Sequence, residues 1–299
     1  SDVSGKLIHE RYLHRRYETL RDLPKCTNAP KEWSEALSRV KDDPCHDCLR
    51  STADAMGSKQ HAPKVTSPGE LVSFDIWKCG VPHAHGGQQL VMSFHDHHST
   101  RNKPYLLDRY SDAPECMRKY LTYCAGHGVV CRHMHTDNGT TFVSTEMREI
   151  LIANKIKLSL IAPGTSRQNG VCERQWRTLA SDTRRLLAAA NMPRSFWWYA
   201  MRHAALVQSL LPIDGAPTEC GMFRWTGRPA RTDSVRVWGC VCYPKIYDPV
   251  SKVADQSMAC IYIGVHEEQN GFMCYDPVTR KVYTTPHVRF VEDSRPGLT

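Results

Sequence analysis

The sequence predicts a mixed α/β protein in three segments, residues 1–65, 66–213 and 214–299. Three observations predict it. Between Leu71 and Leu211, runs of strand-like alternation exchange with runs of helical period, in the order strand, strand, strand, helix, strand, helix, strand, helix, helix. Ahead of them lies a short, charged stretch with two histidines and a Cys-x-x-Cys pair. Behind them come short alternating runs broken by Gly and Asp-Pro turns, the pattern of a small antiparallel barrel.

In the central segment the first strand is Leu71 to Trp77, followed by Gln88 to His95 and Lys103 to Leu107. A helix over Asp112 to Ala125 starts at Ser111 or Asp112 and stops at Gly126. Val129 to His135 is a strand. Ser144 to Asn154 is an amphipathic helix with Met147, Ile150 and Leu151 on one side, and Lys157 to Ala162 is a strand ended by Pro163-Gly164. The polar stretch Gly164 to Gly170 reads as a mobile loop, Asn169 to Ala190 as a long helix, and Ser195 to Leu211 as another, stopped by Pro212. Phe196-Trp197-Trp198-Tyr199 on that last helix belongs to a core or an interface. The final segment has strands at Val235 to Tyr243, Ala259 to Val265, Gly271 to Tyr275 and Lys281 to Thr285.

The formal charge of +8 is compatible with a phosphate-backbone partner. No apolar run approaches membrane-spanning length and no signal peptide is visible, so no membrane partner is expected. Thirteen scattered cysteines, an odd number, argue against a secreted disulfide framework and for a reducing compartment with some metal ligation.

The chemistry concentrates between His135 and Trp176. An acid precedes Asn-Gly in Asp137-Asn138-Gly139. After a gap of 35 residues another acid follows Asn169-Gly170-Val171-Cys172, as Glu173. Upstream, Asp75 lies near the end of Glu70-Leu71-Val72-Ser73-Phe74-Asp75-Ile76-Trp77. The Asp-Asn-Gly and Gln-x-Asn-Gly-Val-x-Glu-Arg blocks resemble the integrase core of copia-type long-terminal-repeat retrotransposons. Pro217-Thr218-Glu219, Trp225-Thr226-Gly227-Arg228-Pro229 and Cys260-Ile261-Tyr262-Ile263-Gly264 extend the resemblance into the last segment, and in all it runs from about His9 to Val291.

The resemblance implies a ribonuclease H-like catalytic core, flanked by an N-terminal helical zinc-binding domain and a C-terminal small β-barrel. It implies that Asp75, on a central strand, Asp137, beyond the neighbouring strand, and Glu173, on the facing helix, hold two Mg²⁺ (or Mn²⁺) ions per active site. Asp75 would bridge both ions, with Asp137 and Glu173 each on one. Mg²⁺ prefers oxygen ligands and binds through a few carboxylates plus substrate phosphates. Two such ions stabilise the attacking and leaving oxygens of an in-line displacement. Two departures are local: Thr140-Thr141 replaces Gly-Glu after the Asp-Asn-Gly block, and Cys172 stands where Ala is usual.

Ile8-His9-Glu10-Arg11-Tyr12-Leu13-His14 and Cys45-His46-Asp47-Cys48 resemble the family's N-terminal His-His and Cys-x-x-Cys elements. Two imidazoles and two thiolates suit one tetrahedral structural Zn²⁺, with His46 and His61 as rival ligands. Five residues of ideal helix turn by about 500°, so His9 and His14 cannot share a helix face, and one must sit where the helix starts or frays. The segment has little core of its own, and Gly57 to Pro68 reads as a basic linker.

Other features are weighed against these. His95-Asp96-His97-His98 looks like a transition-metal cluster, yet in the family an Asp falls here outside the triad. Cys240 and Cys242 read as buried thiols. Arg167, Gln168, Asn169, Arg174 and Arg177 are candidate DNA contacts. The expected activity is a polynucleotidyl transferase joining 3′-hydroxyl ends of element DNA to target DNA, acting as a homo-oligomer on double-stranded DNA. It would work in the nucleus after a cytoplasmic assembly stage. The alternatives are an integrase-derived host DNA-binding or DNA-cleaving protein and a plain ribonuclease H-like nuclease.

Overall fold

A computed structural model describes residues 3–40, 45, 47–48, 65–136, 144–160, 166–247, 251, 253–266 and 269–298; for 166–172 it describes the helical backbone only. Asp137, His46, His61 and most of the linker therefore lie outside the described residues.

The chain begins with four short helices, α1 (Gly5–Arg11), α2 (Tyr17–Leu20), α3 (Leu23–Cys26) and α4 (Glu32–Ser38). Ser4 caps α1 by accepting a hydrogen bond from the Leu7 amide at 3.2 Å. Ile8, Tyr12, Leu13, Leu20, Leu23 and Leu37 are wholly buried. The segment therefore has an apolar interior, though not one of its own. The same cluster takes in Leu179, Leu186, Ala200, Ala204, Trp238 and Ile261 from the other two segments. Arg11 pairs with Glu292, and Arg295 with Glu10 at 3.2 Å, tying the first helix to the far end of the chain.

The middle of the chain builds a five-stranded sheet in the order β3-β2-β1-β4-β5. Strands β1 (Val72–Lys78), β2 (Leu90–Asp96) and β3 (Asn102–Leu107) pair antiparallel, with Phe74 opposite Phe94. Helix α5 (Ala113–Gly126) leads to β4 (His133–Thr136), which runs parallel to β1 with Ser73 opposite His135. Helix α6 (Thr145–Ala153), capped by the Ser144 hydroxyl, leads to β5 (Lys157–Leu160), parallel to β4. Parallel neighbours need such helical crossovers, whereas β1 to β3 do not. This arrangement is the ribonuclease H-like one that the resemblance implied. Alternation along β1 sends Val72, Phe74 and Ile76 to the side of Met117, Tyr120, Met147 and Leu151 on α5 and α6. Phe94 stacks on Tyr120 there with ring centroids 4.0 Å apart.

Helices α7 (Ser166–Ala189) and α8 (Trp197–Leu210) follow. The first starts at Ser166, so 166–170 is helical and not the expected loop. A single glycine, Gly170, costs a helix only about 1 kcal/mol, too little to stop one of 24 residues. Phe196, Trp197 and Tyr199 are buried, as expected of core aromatics. Among the described residues no helix is long and apolar enough to cross a membrane.

The last segment opens with features the sequence pattern did not announce: a hairpin of β6 (Pro212–Ile213) and β7 (Ala216–Cys220), and α9 (Gly221–Thr226), ended by Gly227 at φ +68°. Of the strand expected over Val235 to Tyr243, only β8 (Val241–Pro244) forms. Val235, Val237 and Trp238 are buried in a non-strand connection, and a short apolar run buried on all sides reads the same either way. Strands β9 (Cys260–His266), β10 (Gly271–Tyr275), β11 (Val282–Thr285) and β12 (Val288–Val291) complete an antiparallel sheet in the order β11-β10-β9-β8-β12. Among the described residues these strands pair as one five-stranded antiparallel sheet with β11 and β12 at its ends, in the segment where a small barrel is expected. Alternation encodes pairing with a neighbour, but closure depends on tilt and stagger around the whole sheet. Cys240, Cys242, Cys260 and Cys274 are buried together against it.

Candidate functional site

Among the described residues, His9, His14, Cys45 and Cys48 form the group whose donor atoms could hold a metal, all lying within 4.8 Å of one another. Local backbone explains how. Helix α1 stops at Arg11, and the chain reverses through Leu13 and His14 at φ +59° and +55°. The His14 amide then donates to the His9 carbonyl at 2.8 Å, which returns the second imidazole to the first. His9 Nδ1 donates to the Arg15 carbonyl at 2.8 Å, leaving Nε2 as the free donor, 3.5 Å from Cys48 Sγ. His14 Nδ1 lies 3.1 Å from Cys45 Sγ. Such separations suit ligands about 2.0 Å (nitrogen) and 2.3 Å (sulfur) from a common zinc.

Burial disfavours charge here. It lowers the His9 pKa and, with His9, Arg295 and Arg185 adding repulsion, pushes His14 down to about 3. Burial and the neighbouring Cys45 push the Cys48 thiol up to about 12. The imidazoles are thus neutral donors, and the thiols would release protons on taking a divalent cation. Tyr17 stacks on His9 at 4.8 Å and closes one side.

The acids expected from the sequence are placed differently. On β1, Ser73, Asp75 and Trp77 point away from the α5/α6 side. Trp77 meets Trp176 of α7 with ring centroids 6.1 Å apart. Glu173 and Trp176 are three residues apart on that helix and share a side. The contact therefore turns the Asp75 face of β1 toward the Glu173 side of α7. Asp75 is half-buried and Glu173 exposed. Asp137 follows directly in sequence on Thr136, the last residue of β4, but lies outside the described residues. Arg174 and Arg177 are exposed on α7. The side chains of Arg167, Gln168 and Asn169 lie outside the description.

The same face carries histidines. His97 Nε2 is 2.6 Å from Ser73 Oγ, the His95 and His97 rings are 5.2 Å apart, and those of His133 and His135 4.5 Å. Burial holds His97 down at about 4, with His135 contributing, and burial lowers His135 too.

Asp96 is not part of it. It accepts from the Gly69 amide at 2.7 Å and from the Ser99 amide and hydroxyl at 2.7 and 2.6 Å, on the side opposite His95 and His97. The run His95 to His98 is thus split by alternation, and its acid anchors a loop.

Sequence reasoning missed Asp182. It is wholly buried on α7, bonded to Arg15 Nη2 at 2.8 Å, Arg185 Nη1 at 2.7 Å and Gln208 Nε2 at 2.7 Å. The signal was present, since Asp182 interrupts the apolar stripe of Leu179, Leu186 and Ala190. Beside it lies a polar cleft of about 700 Å³, lined by Arg15, Arg16, Gln175, Thr178 and Arg185 among others.

Comparison with known proteins matches residues 240–298 to the family described as retroviral polymerase SH3-like domain. Over 97% of its length the chain is 26% identical to a retrovirus-related Pol polyprotein from transposon TNT 1-94 of Nicotiana tabacum, and over 84% it is 27% identical to that from transposon RE1 of Arabidopsis thaliana. The aligned parts are 22% and 17% of those proteins, so the chain spans about one fifth of the relatives it matches. Its homologues are thus copia-type Pol polyproteins. Similar solved structures include the HTLV-2 integrase catalytic core domain in complex with magnesium, at 17% identity and a TM-score of 0.42 over 54% of this chain and 99% of that one. Another is a simian T-cell lymphotropic virus intasome chain, at 15% identity and a TM-score of 0.45 over 94% and 98%.

Proposed function

We propose that this chain, a homologue of the copia-type retrovirus-related Pol polyproteins of plant transposons, is an integrase: a polynucleotidyl transferase that joins 3′-hydroxyl ends of element DNA to target DNA. The Trp77–Trp176 contact carries the reading, because it sets the strand bearing Asp75 against the side of the helix bearing Glu173. Asp137, next in sequence after β4, is the third carboxylate. The three would hold two Mg²⁺ or Mn²⁺ ions, which when bound supply charge stabilisation to the entering and leaving oxygens of a transesterification. The four-ligand group at His9, His14, Cys45 and Cys48 would hold one structural Zn²⁺.

The chain's own residues bind and orient the DNA. Arg174 and Arg177 stand exposed on α7 beside Glu173, and with Arg167, Gln168 and Asn169 they would meet phosphates near the reacting bond. The substrate is double-stranded DNA, both element ends and target. The active form is a homo-oligomer on it, since two ends must be joined together. Its place of work is the nucleus, after assembly in the cytoplasm. Binding through phosphates should weaken by orders of magnitude between about 50 and 200 mM salt if six or more contacts form.

The test is strand transfer in Mg²⁺ by Asp75→Asn, Asp137→Asn and Glu173→Gln, which remove a ligand charge and keep side-chain shape. Each should abolish transfer in a folded protein, and wild-type transfer by Glu173→Gln would refute the assignment.

A further inference from the structure

Arg15 joins two parts of the molecule that serve different ends. Its carbonyl accepts a hydrogen bond from His9 Nδ1–H and so decides which imidazole nitrogen is left for a metal. Its guanidinium bonds Asp182 on α7 at 2.8 Å. Asp182 also receives Arg185 and Gln208, and Gln208 Oε1 in turn accepts from Asn102 Nδ2 at 3.1 Å at the start of β3. Asp182 lies nine residues beyond Glu173. That is two and a half turns, roughly 13 Å along the helix and on its opposite side. The helix is thus gripped from behind by the same residue that orients a metal-group histidine.

We propose that Arg15 is a positioning residue that holds the helix carrying Glu173 in place only while the His9, His14, Cys45 and Cys48 group is closed on a metal. The proposal rests on reading Glu173 as a metal-binding carboxylate. The reversal that delivers Arg15 passes through two consecutive non-glycine residues at positive φ, Leu13 and His14, a conformation that surrounding contacts must enforce. Ligation of His14 supplies one such constraint. When the ion leaves, the reversal relaxes, Arg15 moves, and Asp182 is left with a partner missing in a fully buried place. A buried carboxylate does not tolerate that, so the helix shifts or admits water.

The test uses the full chain without DNA and follows amide hydrogen exchange along α7, with zinc and after its removal by a chelator. In the parent, removing zinc should raise exchange over 179–189 about tenfold or more, in step with α1 to α4. Arg15→Ala should keep its zinc, show raised exchange in α7 from the outset, and lose the response to zinc, while Arg15→Lys recovers part of it. In strand transfer, Arg15→Ala should raise the Mg²⁺ concentration for half-maximal rate, whereas a merely destabilised protein would lose maximal rate at unchanged half-saturation. Two results overturn the proposal: α7 exchange in the parent indifferent to zinc, or Arg15→Ala responding as the parent does. If Arg15→Ala does not fold, Asp182→Asn carries the same readings, because it keeps shape and removes the charge. Glu173→Gln separates the two ideas. It should keep the zinc response of α7 and lose transfer, and if it transfers normally the carboxylate reading falls while the exchange data still decide the coupling.

Discussion

The histidine–cysteine group and the acidic face both draw residues from distant positions, yet the first buries its two histidines, with Cys45 and Cys48 partly buried beside them, and the second is more open. His9 and His14 are 5% and 6% exposed, whereas Glu173 is exposed and Asp75 half-buried. The difference follows from what a bound ion would do. An ion that serves the fold is surrounded by four protein ligands and sealed from water. One that shares its ligands with a phosphate must leave coordination positions free. Carboxylates that stay accessible on such a face are the ones the proposed transfer reaction would use.

The comparison breaks first at the acids. Glu173→Gln and Asp75→Asn should lower the strand-transfer rate by about 10³-fold or more, on the order of 4 kcal/mol of transition-state stabilisation, while the thermal midpoint holds. Unfolding that tracks the lost rate would make the acidic face structural after all. The metal group should behave the opposite way. Cys48→Ser should lose zinc and several of the roughly 10 kcal/mol that a structural zinc contributes to such modules. Elemental analysis beside a denaturant titration reads both, and parent-level zinc in the variant would contradict the assignment.

Asp182 tests whether the region between the two sites is as tightly held as its hydrogen bonds indicate. Asp182→Ala removes a wholly buried partner of Arg15 and Arg185 and should cost about 3–5 kcal/mol, read from the urea midpoint. A loss below 1 kcal/mol would mean that the arginines find water instead.

The smallest effect concerns histidines outside the metal group. Burial holds His95 and His203 at about 3 and His97 at about 4. The unfolded chain takes up protons at these residues as pH falls through 6.5, while the folded chain does so only near 4 to 3. Stability is therefore full above pH 6.5 and is lost as pH falls from there toward 4. The slope is about 1.4 kcal/mol per pH unit for each histidine. Both ring nitrogens of His203 are buried without a hydrogen-bond partner among the described residues. His203→Leu should reduce the acid slope by one histidine's share and raise stability at pH 7 by about 1 kcal/mol. Urea midpoints across this range provide the check, and an unchanged slope would show that His203 does not stay neutral.

The amino-acid sequence by itself determined the element order of the central segment, its buried faces, and the neighbours of Asp75 and Glu173 that mark them out. It also required one of His9 and His14 to sit where the helix starts or frays, because five residues overshoot one helical face. These are properties of a few adjacent residues: a period, a cap, a spacing. Tertiary structure decided that the reversal runs through Leu13 and His14 at positive φ, and that Asp96 ties down a loop while His95 and His97 face the other way. It decided the order in which the final strands pair, and that the N-terminal helices share one interior with α7, α8 and the last segment. Asp182 shows the reason most plainly. Its place on an apolar stripe and its neighbour Arg185 are visible locally, but two further partners that make its burial tolerable, Gln208 and Arg15, are 26 and 167 residues away in sequence. Desolvation of a charge is decided by whatever the whole fold brings next to it, and no local pattern records that.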